Sequence, residues 1–184
     1  MIVEGKKVYF MSDAHLGSRV IADNRAHEKK VVAWLDFIKA DASVLFLMGD
    51  IFDFWFEYRT VVPKGYTRFL GKLAEMADAG VEIHFFTGNH DIWTFGYFEK
   101  EIGMKVHRKP EDFVLGSKKF FLAHGDGLDP DEKGFHILRK LFHSKTAQRF
   151  FQAFPPAWGQ ELGYRWSAHN RNLILNQNND YAGE

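Results

Sequence analysis

Four short clusters of polar, metal-ligating residues follow one another along the chain: Ser12-Asp13-Ala14-His15, Gly49-Asp50-Ile51-Phe52-Asp53, Gly88-Asn89-His90-Asp91 and His124-Gly125-Asp126. Carboxylate, imidazole and amide donors gathered in one site suit Mn²⁺, Fe²⁺ or Zn²⁺. Alternate residues of an extended segment share a face, so Asp13 and His15 can reach one cation together. A single carboxylate such as Asp50 can bridge two divalent ions roughly 3.5–4 Å apart, the spacing that polarises both ends of a phosphate displacement. Asn89 offers an amide oxygen, which makes sense as a ligand beside harder carboxylates, while His90 next to it can face a substrate. Each cluster alone also has an ordinary reading: a capping Asp with a surface His, a Gly-Asp turn, a Gly-Asn turn before a helix capped by Asp91, a satisfied polar His124. Their joint occurrence points to a two-metal hydrolytic site. Asp53, Asp91 and Asp126 follow the ligand candidates closely and can either orient imidazoles or serve caps and turns.

The elements that must position these residues can be read from apolar periodicity. Val8-Tyr9-Phe10-Met11 reads as a buried strand ending at Asp13, and Val44 to Met48 as a second ending at Gly49-Asp50. Between them, Val31, Val32, Leu35 and Ile38 carry helical spacing within Asn24–Lys39. The alternation repeats with a helix over Tyr66–Ala79, a stop at Gly80, and a strand over Val81–Thr87 that ends at Gly88-Asn89-His90-Asp91. Open sheets with helical crossovers collect ligands beyond the carboxyl ends of their strands, so the three strand-end clusters should converge. Phe113–Leu115, a Gly116-Ser117 turn and Lys119–Ala123 predict a hairpin whose second strand delivers His124.

After Asp126 the character changes. No Asp or Glu occurs from Lys133 to Gln160, where Lys133, Arg139, Lys140, Lys145 and Arg149 interleave with Phe135, Leu138, Leu141, Phe142, Phe150, Phe151 and Phe154. This predicts a basic, aromatic, helical insertion, broken at Pro155-Pro156, with a further helix over Tyr164–Leu175. Its alternative reading is a solvated basic helix packed by its aromatics.

Composition sets the bounds. The 184 residues fit one domain, and a hydrophobic fraction of 46% supports a core without covalent staples. Lys plus Arg and Asp plus Glu balance at 24 each, so overall charge gives no reason to expect nucleic acid as a partner. The absence of cysteine excludes disulfides, iron–sulfur clusters and thiol nucleophiles, and fits a reducing, cytoplasmic setting. No run approaches the roughly 20 apolar residues of a membrane span. Aromatic residues make up 16%, with 19 Phe, more than one soluble core usually asks for, so some rings are expected to face a ligand or a membrane.

Taken together the clusters resemble the ordered signature of calcineurin-like metallophosphoesterases: Asp-x-His, Gly-Asp, Gly-Asn-His-Asp or -Glu, a histidine, and a late Gly-His-x-His. The resemblance implies an α/β (α+β) fold, a four-layer β-sandwich flanked by helices, with Asp13, His15 and Asp50 holding one metal and Asp50, Asn89 and His124 the other. It further implies attack on phosphorus by a water or hydroxide between the metals, with Asp50 and His90 as the catalytic pair. Two divalent ions are expected, Mn²⁺ first, with Fe²⁺ and Zn²⁺ also suited.

A closer resemblance, over nearly the whole chain, is to UDP-2,3-diacylglucosamine hydrolases of the lipid A pathway. It is carried by Ser-Asp-Ala-His-Leu-Gly, by Met48 to Trp55, and by His124 to Phe135 with Arg139 following. It implies hydrolysis of a lipid-linked sugar nucleotide at its pyrophosphate, giving UMP and 2,3-diacylglucosamine 1-phosphate. Residues 1–131 would form the core and 132–180 a helical, lipid-binding cap, with Asn89, His90, Glu132, Phe135, Leu138, Arg139 and Lys145 as substrate contacts. Lys and Arg of the cap can pair with pyrophosphate or anionic headgroups, and Phe and Leu can take acyl chains. The expected location is then the cytoplasm, peripherally on the inner face of the inner membrane. Two departures stand out. Those hydrolases commonly carry Arg where this chain has His90, whereas His is usual in the wider superfamily, where it is proposed to assist the leaving group. No Gly-His-x-His occurs before Glu184; the expectation is that the last core strands and one further ligand per metal lie beyond it. Two other functions stay open: a phosphodiesterase or phosphatase acting on soluble nucleotides, and a scaffold that keeps the fold without catalysis.

Overall fold

A computed structural model describes residues 5–126, 142 and 144–181, with side chains described as far as residue 169. Strands β1 (Lys7–Met11), β2 (Ala42–Leu47), β3 (Glu82–Phe86) and β4 (Lys105–His107) pair side by side in chain order, all parallel. The crossovers are helices α1 (Asn24–Lys39), α2 (Thr67–Asp78) and α3 (Tyr97–Glu101). A separate antiparallel hairpin joins β5 (Glu111–Leu115) to β6 (Lys118–Leu122). Two further helices follow, α4 (Lys145–Gln152) and α5 (Pro156–Tyr181).

The sheet works because β2, its central strand, is apolar on both faces, as a strand covered on two sides must be. Leu45 and Leu47 of β2, with Ile83 and Phe85 of β3, face the helices and pack with Leu35, Ile38, Phe69, Leu73, Met76 and Phe98. Val44 and Phe46 point the other way, against Phe86 and the hairpin residues Phe113, Leu115 and Leu122. The mixed α/β layering expected from the sequence is therefore present; among the described residues the second sheet is a two-stranded hairpin. The helix ends are fixed by side chains from elsewhere as well as their own. Asp23 accepts from Ala26 N at 2.8 Å to start α1, and Glu28 of α1 accepts from the Arg68 and Phe69 amides at 3.1 and 3.2 Å to cap α2.

A third apolar cluster sits outside the sheet. Phe54, Phe56, Tyr58 and Trp93, all from loops that follow strands, pack against Phe142, Phe151 and Tyr164. The expected break at Pro155-Pro156 is there, but a new helix begins at once: proline suits the first helical turn, so α5 starts at Pro156 and not at Tyr164. Residues 128–141, which carry the expected contacts Glu132, Phe135, Leu138 and Arg139, lie outside the described residues, as do His136 and His143. No helix among the described residues is long and apolar enough to cross a membrane.

Candidate metal centre

All four clusters are delivered to one edge of the sheet. The loops after β1, β2 and β3 continue the parallel pairing of their strands: Asp13 N donates to Gly49 O at 3.1 Å, His15 N to Asp50 O at 3.0 Å, and Leu16 N to Ile51 O at 2.9 Å. On the other side Trp55 N donates to His90 O at 3.0 Å. Loop positions are thus set by main-chain hydrogen bonds, and the side chains they carry inherit that order.

The loops are also strained, and at the candidate residues. Asp13, His15 and Asp50 adopt left-handed backbone with φ of 53°, 43° and 52°. Non-glycine residues pay conformational energy there, and such strain concentrates at functional sites. Two glycines permit the close approach. A Cβ on Gly49, whose φ is +91°, would lie 2.6 Å from His124 Nδ1, and one on Gly88 would lie 2.1 Å from Asp50 Oδ1.

Three imidazoles converge on one carboxylate oxygen. Asp50 Oδ2 lies 3.5 Å from His124 Nε2, 3.8 Å from His15 Nε2 and 3.9 Å from His90 Nε2. Asp13 Oδ1 is 3.8 Å from the same His15 nitrogen. His124 Nδ1 donates to the Met48 carbonyl at 2.8 Å, and His90 Nδ1 to the Asp53 carbonyl at 2.7 Å. A carbonyl only accepts, so both Nδ1 atoms carry a proton and the Nε2 atom of each ring is the one that faces Asp50. Donor atoms of Asp13, His15 and Asp50 fall within 4.8 Å of one another, and so do those of His15, Asp53 and His90. Asn89 is half-buried in the turn between Gly88 and His90.

Electrostatics mark the same place. Burial pushes the Asp50 carboxyl up, but its hydrogen bond to His124 and the neighbouring charge of His90 and His124 outweigh burial and hold it below the usual range. Burial works against a charged His124, yet Asp50 lifts it to about 9. A group of donors that draws a proton so strongly is one in which added positive charge is stabilised. Divalent cations fit that demand, and they fit the mixed oxygen and imidazole donor set.

Asp91 and Asp53 take different roles. The fully buried Asp91 carboxylate accepts from Gly88 N at 2.8 Å, Ile51 N at 2.8 Å and Phe52 N at 3.4 Å, so it ties the β2 and β3 loops through their backbones and orients no imidazole. Burial and then the charge of Asp50 push it up to about 7, against these three donors. Asp53, also buried, has Oδ1 at 3.7 Å from His15 Nδ1. Its neighbourhood includes a residue that the sequence did not single out: Ser167 of α5 donates to Asp53 Oδ2 at 2.8 Å. Nothing local to Ser167 advertises this contact, because a serine inside a helical run carries no motif.

The remaining expectations are placed as follows. Lys145, on the first turn of α4, is exposed, and His169 is exposed on α5. His107, which no motif surrounds, is packed on the hairpin side of the sheet. Its Nε2 lies 2.8 Å from His84 Nδ1 and its ring stacks on Phe86 at 4.5 Å. Strand β4 and its neighbour α3 were too short to leave a periodic signal, which is why that packing was not legible.

Comparison with known proteins gives a consistent answer. A family model described as calcineurin-like phosphoesterase matches residues 6–178. Three curated relatives are each named UDP-2,3-diacylglucosamine hydrolase. The protein of Porphyromonas gingivalis is 47% identical over 166 residues, 90% of this chain and 63% of the relative. That of Neisseria meningitidis serogroup A is 28% identical over 85% of this chain and 64% of its own length. That of Haemophilus influenzae strain Rd is 30% identical over 82% and 61%. The chain thus spans less than two thirds of the length of each of these relatives.

Proposed function

This chain belongs to the calcineurin-like phosphoesterase family, and we propose that within it the protein hydrolyses the pyrophosphate of UDP-2,3-diacylglucosamine, giving UMP and 2,3-diacylglucosamine 1-phosphate. The observation that carries the reading is the convergence of His15, His90 and His124 on one oxygen of Asp50. Substrate choice is supported by the 47% identity to a relative of that name.

Asp13, His15 and Asp50 would hold one divalent ion, and Asp50, Asn89 and His124 the other, with Mn²⁺ as the first candidate. Bound there, the ions would lower the pKa of the attacking water and neutralise charge on the phosphoryl oxygens. The protein's own part is positional. Hydrogen bonds of His124 to Met48 O and of His90 to Asp53 O keep Nε2 of each ring directed inward, and the amide of His90 holds Asp50 Oδ1 at 3.0 Å. His90, which is not needed as a ligand in this scheme, faces the substrate and can donate a proton to the departing oxygen.

Residues 132–180 would serve as the lipid-binding cap of a core spanning 1–131. In the described part, Phe150, Phe154, Trp158 and Leu162 are exposed on or between α4 and α5, with Phe150 and Trp158 each 70% accessible. Lys145 and Arg149 of α4 are exposed as well, and basic with apolar groups on such helices suit an anionic surface and acyl chains. Peripheral attachment to the cytoplasmic face of a membrane follows from the same proposal.

The deciding experiment compares UDP-2,3-diacylglucosamine with UDP-glucose in the presence of Mn²⁺. Preference for the acylated substrate supports the reading, and equal turnover removes the lipid requirement. His90 favours a second reading, hydrolysis of soluble nucleotides or phosphodiesters, which equal turnover would support.

A further inference from the structure

We propose that Ser167 is a positioning residue for His15, acting through the carboxylate of Asp53. The inference rests on reading His15 as a metal ligand, and its test separates the two.

The main chain of Asp53 is held from both sides: its N–H donates to Leu16 O at 3.0 Å and its carbonyl accepts from His90 Nδ1 at 2.7 Å. The side-chain torsion of a carboxylate is broad, so the direction of its oxygens depends on the groups that contact them. Ser167 Oγ, donating to Oδ2 at 2.8 Å, sets that torsion and leaves Oδ1 facing His15 Nδ1 at 3.7 Å. A negative charge opposite Nδ1 favours the tautomer whose proton is on Nδ1, so that Nε2 presents its lone pair toward Asp13 and Asp50. Both Ser167 and Asp53 are buried, so water competes poorly for either group.

Helix α5 is seated firmly enough to act as a fixed reference. Gly163 packs directly on Phe54, the residue after Asp53, where a Cβ would come within 2.4 Å of the ring. Tyr164 Oη and Tyr66 Oη are 2.8 Å apart, and Glu161 pairs with Arg19. Ser167 thus follows three points of attachment to the core along α5, and its hydroxyl reaches the carboxylate of Asp53.

The test uses Ser167→Ala and Ser167→Thr, with Glu161→Gln as a control that loosens the same helix without touching Asp53. Two readouts are taken: the ring ¹⁵N shifts of His15 in metal-free protein, and Mn²⁺ affinity by calorimetry. Loss of an outer partner of this kind costs about tenfold or more in metal affinity. Ser167→Ala should therefore weaken Mn²⁺ binding by about tenfold and move the His15 shifts away from the Nδ1-protonated pattern. Ser167→Thr, which keeps the hydroxyl, and Glu161→Gln should leave both at wild-type values. Unchanged His15 shifts in Ser167→Ala overturn the proposal, as does an equal change in Glu161→Gln, which would mean that seating of the helix and not the hydroxyl matters. A wild-type protein that binds no Mn²⁺ contradicts the metal reading, and the His15 shifts then decide the role of Ser167 alone.

Discussion

Asp50 Oδ2 lies 3.5 Å from His124 Nε2, while the other nitrogen of that ring donates to the carbonyl of Met48, two residues before Asp50 on the same chain segment. The end of β2 therefore grips His124 at both nitrogens, by main chain on one side and by carboxylate on the other. Everything proposed for the site depends on that carboxylate being shared.

Asp50→Asn keeps the shape and the oxygen that accepts from the His90 amide but removes the charge that three imidazoles face. Hydrolysis should fall by about a hundredfold to a thousandfold or more, the scale on which loss of one transition-state stabilising group is felt. Steady-state kinetics with a chromogenic phosphodiester measure it. Activity within a few-fold of wild type would refute the bridging role.

Gly88→Ala places a methyl group 2.1 Å from Asp50 Oδ1 and 2.5 Å from its backbone nitrogen, a collision that flexible side chains cannot absorb. We expect a loss of about 1–3 kcal/mol in urea unfolding, as for overpacked interiors, together with weaker Mn²⁺ binding. Wild-type stability and affinity in this variant would show that the β2 and β3 loops are not held as closely as described.

His90 can donate only from Nε2, because Nδ1 is committed to the Asp53 carbonyl. If it protonates the departing oxygen, His90→Ala should depress turnover far more for a phosphodiester with an alkoxide leaving group than for one releasing nitrophenolate, which needs little help. Equal losses for the two substrates would assign His90 to binding.

The Glu161 carboxyl is held down to about 2 from 4.5, first by its hydrogen bond to Arg19 and next by that to Arg165. A depressed folded-state value contributes stability above the unfolded pKa and loses it as pH falls through the folded one. The Tm difference between wild type and Glu161→Gln should thus be full above about pH 5 and vanish toward pH 2. Because the pair is at the surface, added salt should shrink it also. A difference that grows on acidification would contradict the assignment.

The sequence disclosed the strand-end clusters because each couples an apolar run to residues that a strand end can display. The helix Asn24–Lys39 is legible in its apolar spacing, and the hairpin in its Gly116-Ser117 turn. What escaped was short or distant. Strand β4 spans Lys105–His107, too brief for any period, so the burial of His107 against His84 could not be seen. Asp53 looked like one of several acids that could orient a ring; only the fold tells it from Asp91, whose carboxylate is spent on backbone amides. The Ser167 contact joins segments far apart in the chain and leaves no mark on either one.

The most direct test of the account is the anomalous scattering of a crystal grown with Mn²⁺. It should contain two peaks about 3.5–4 Å apart, one on each side of the Asp50 carboxylate, the first near Asp13 and His15 and the second near Asn89 and His124. Peaks elsewhere, or a single peak that Asp50 does not touch, would contradict it.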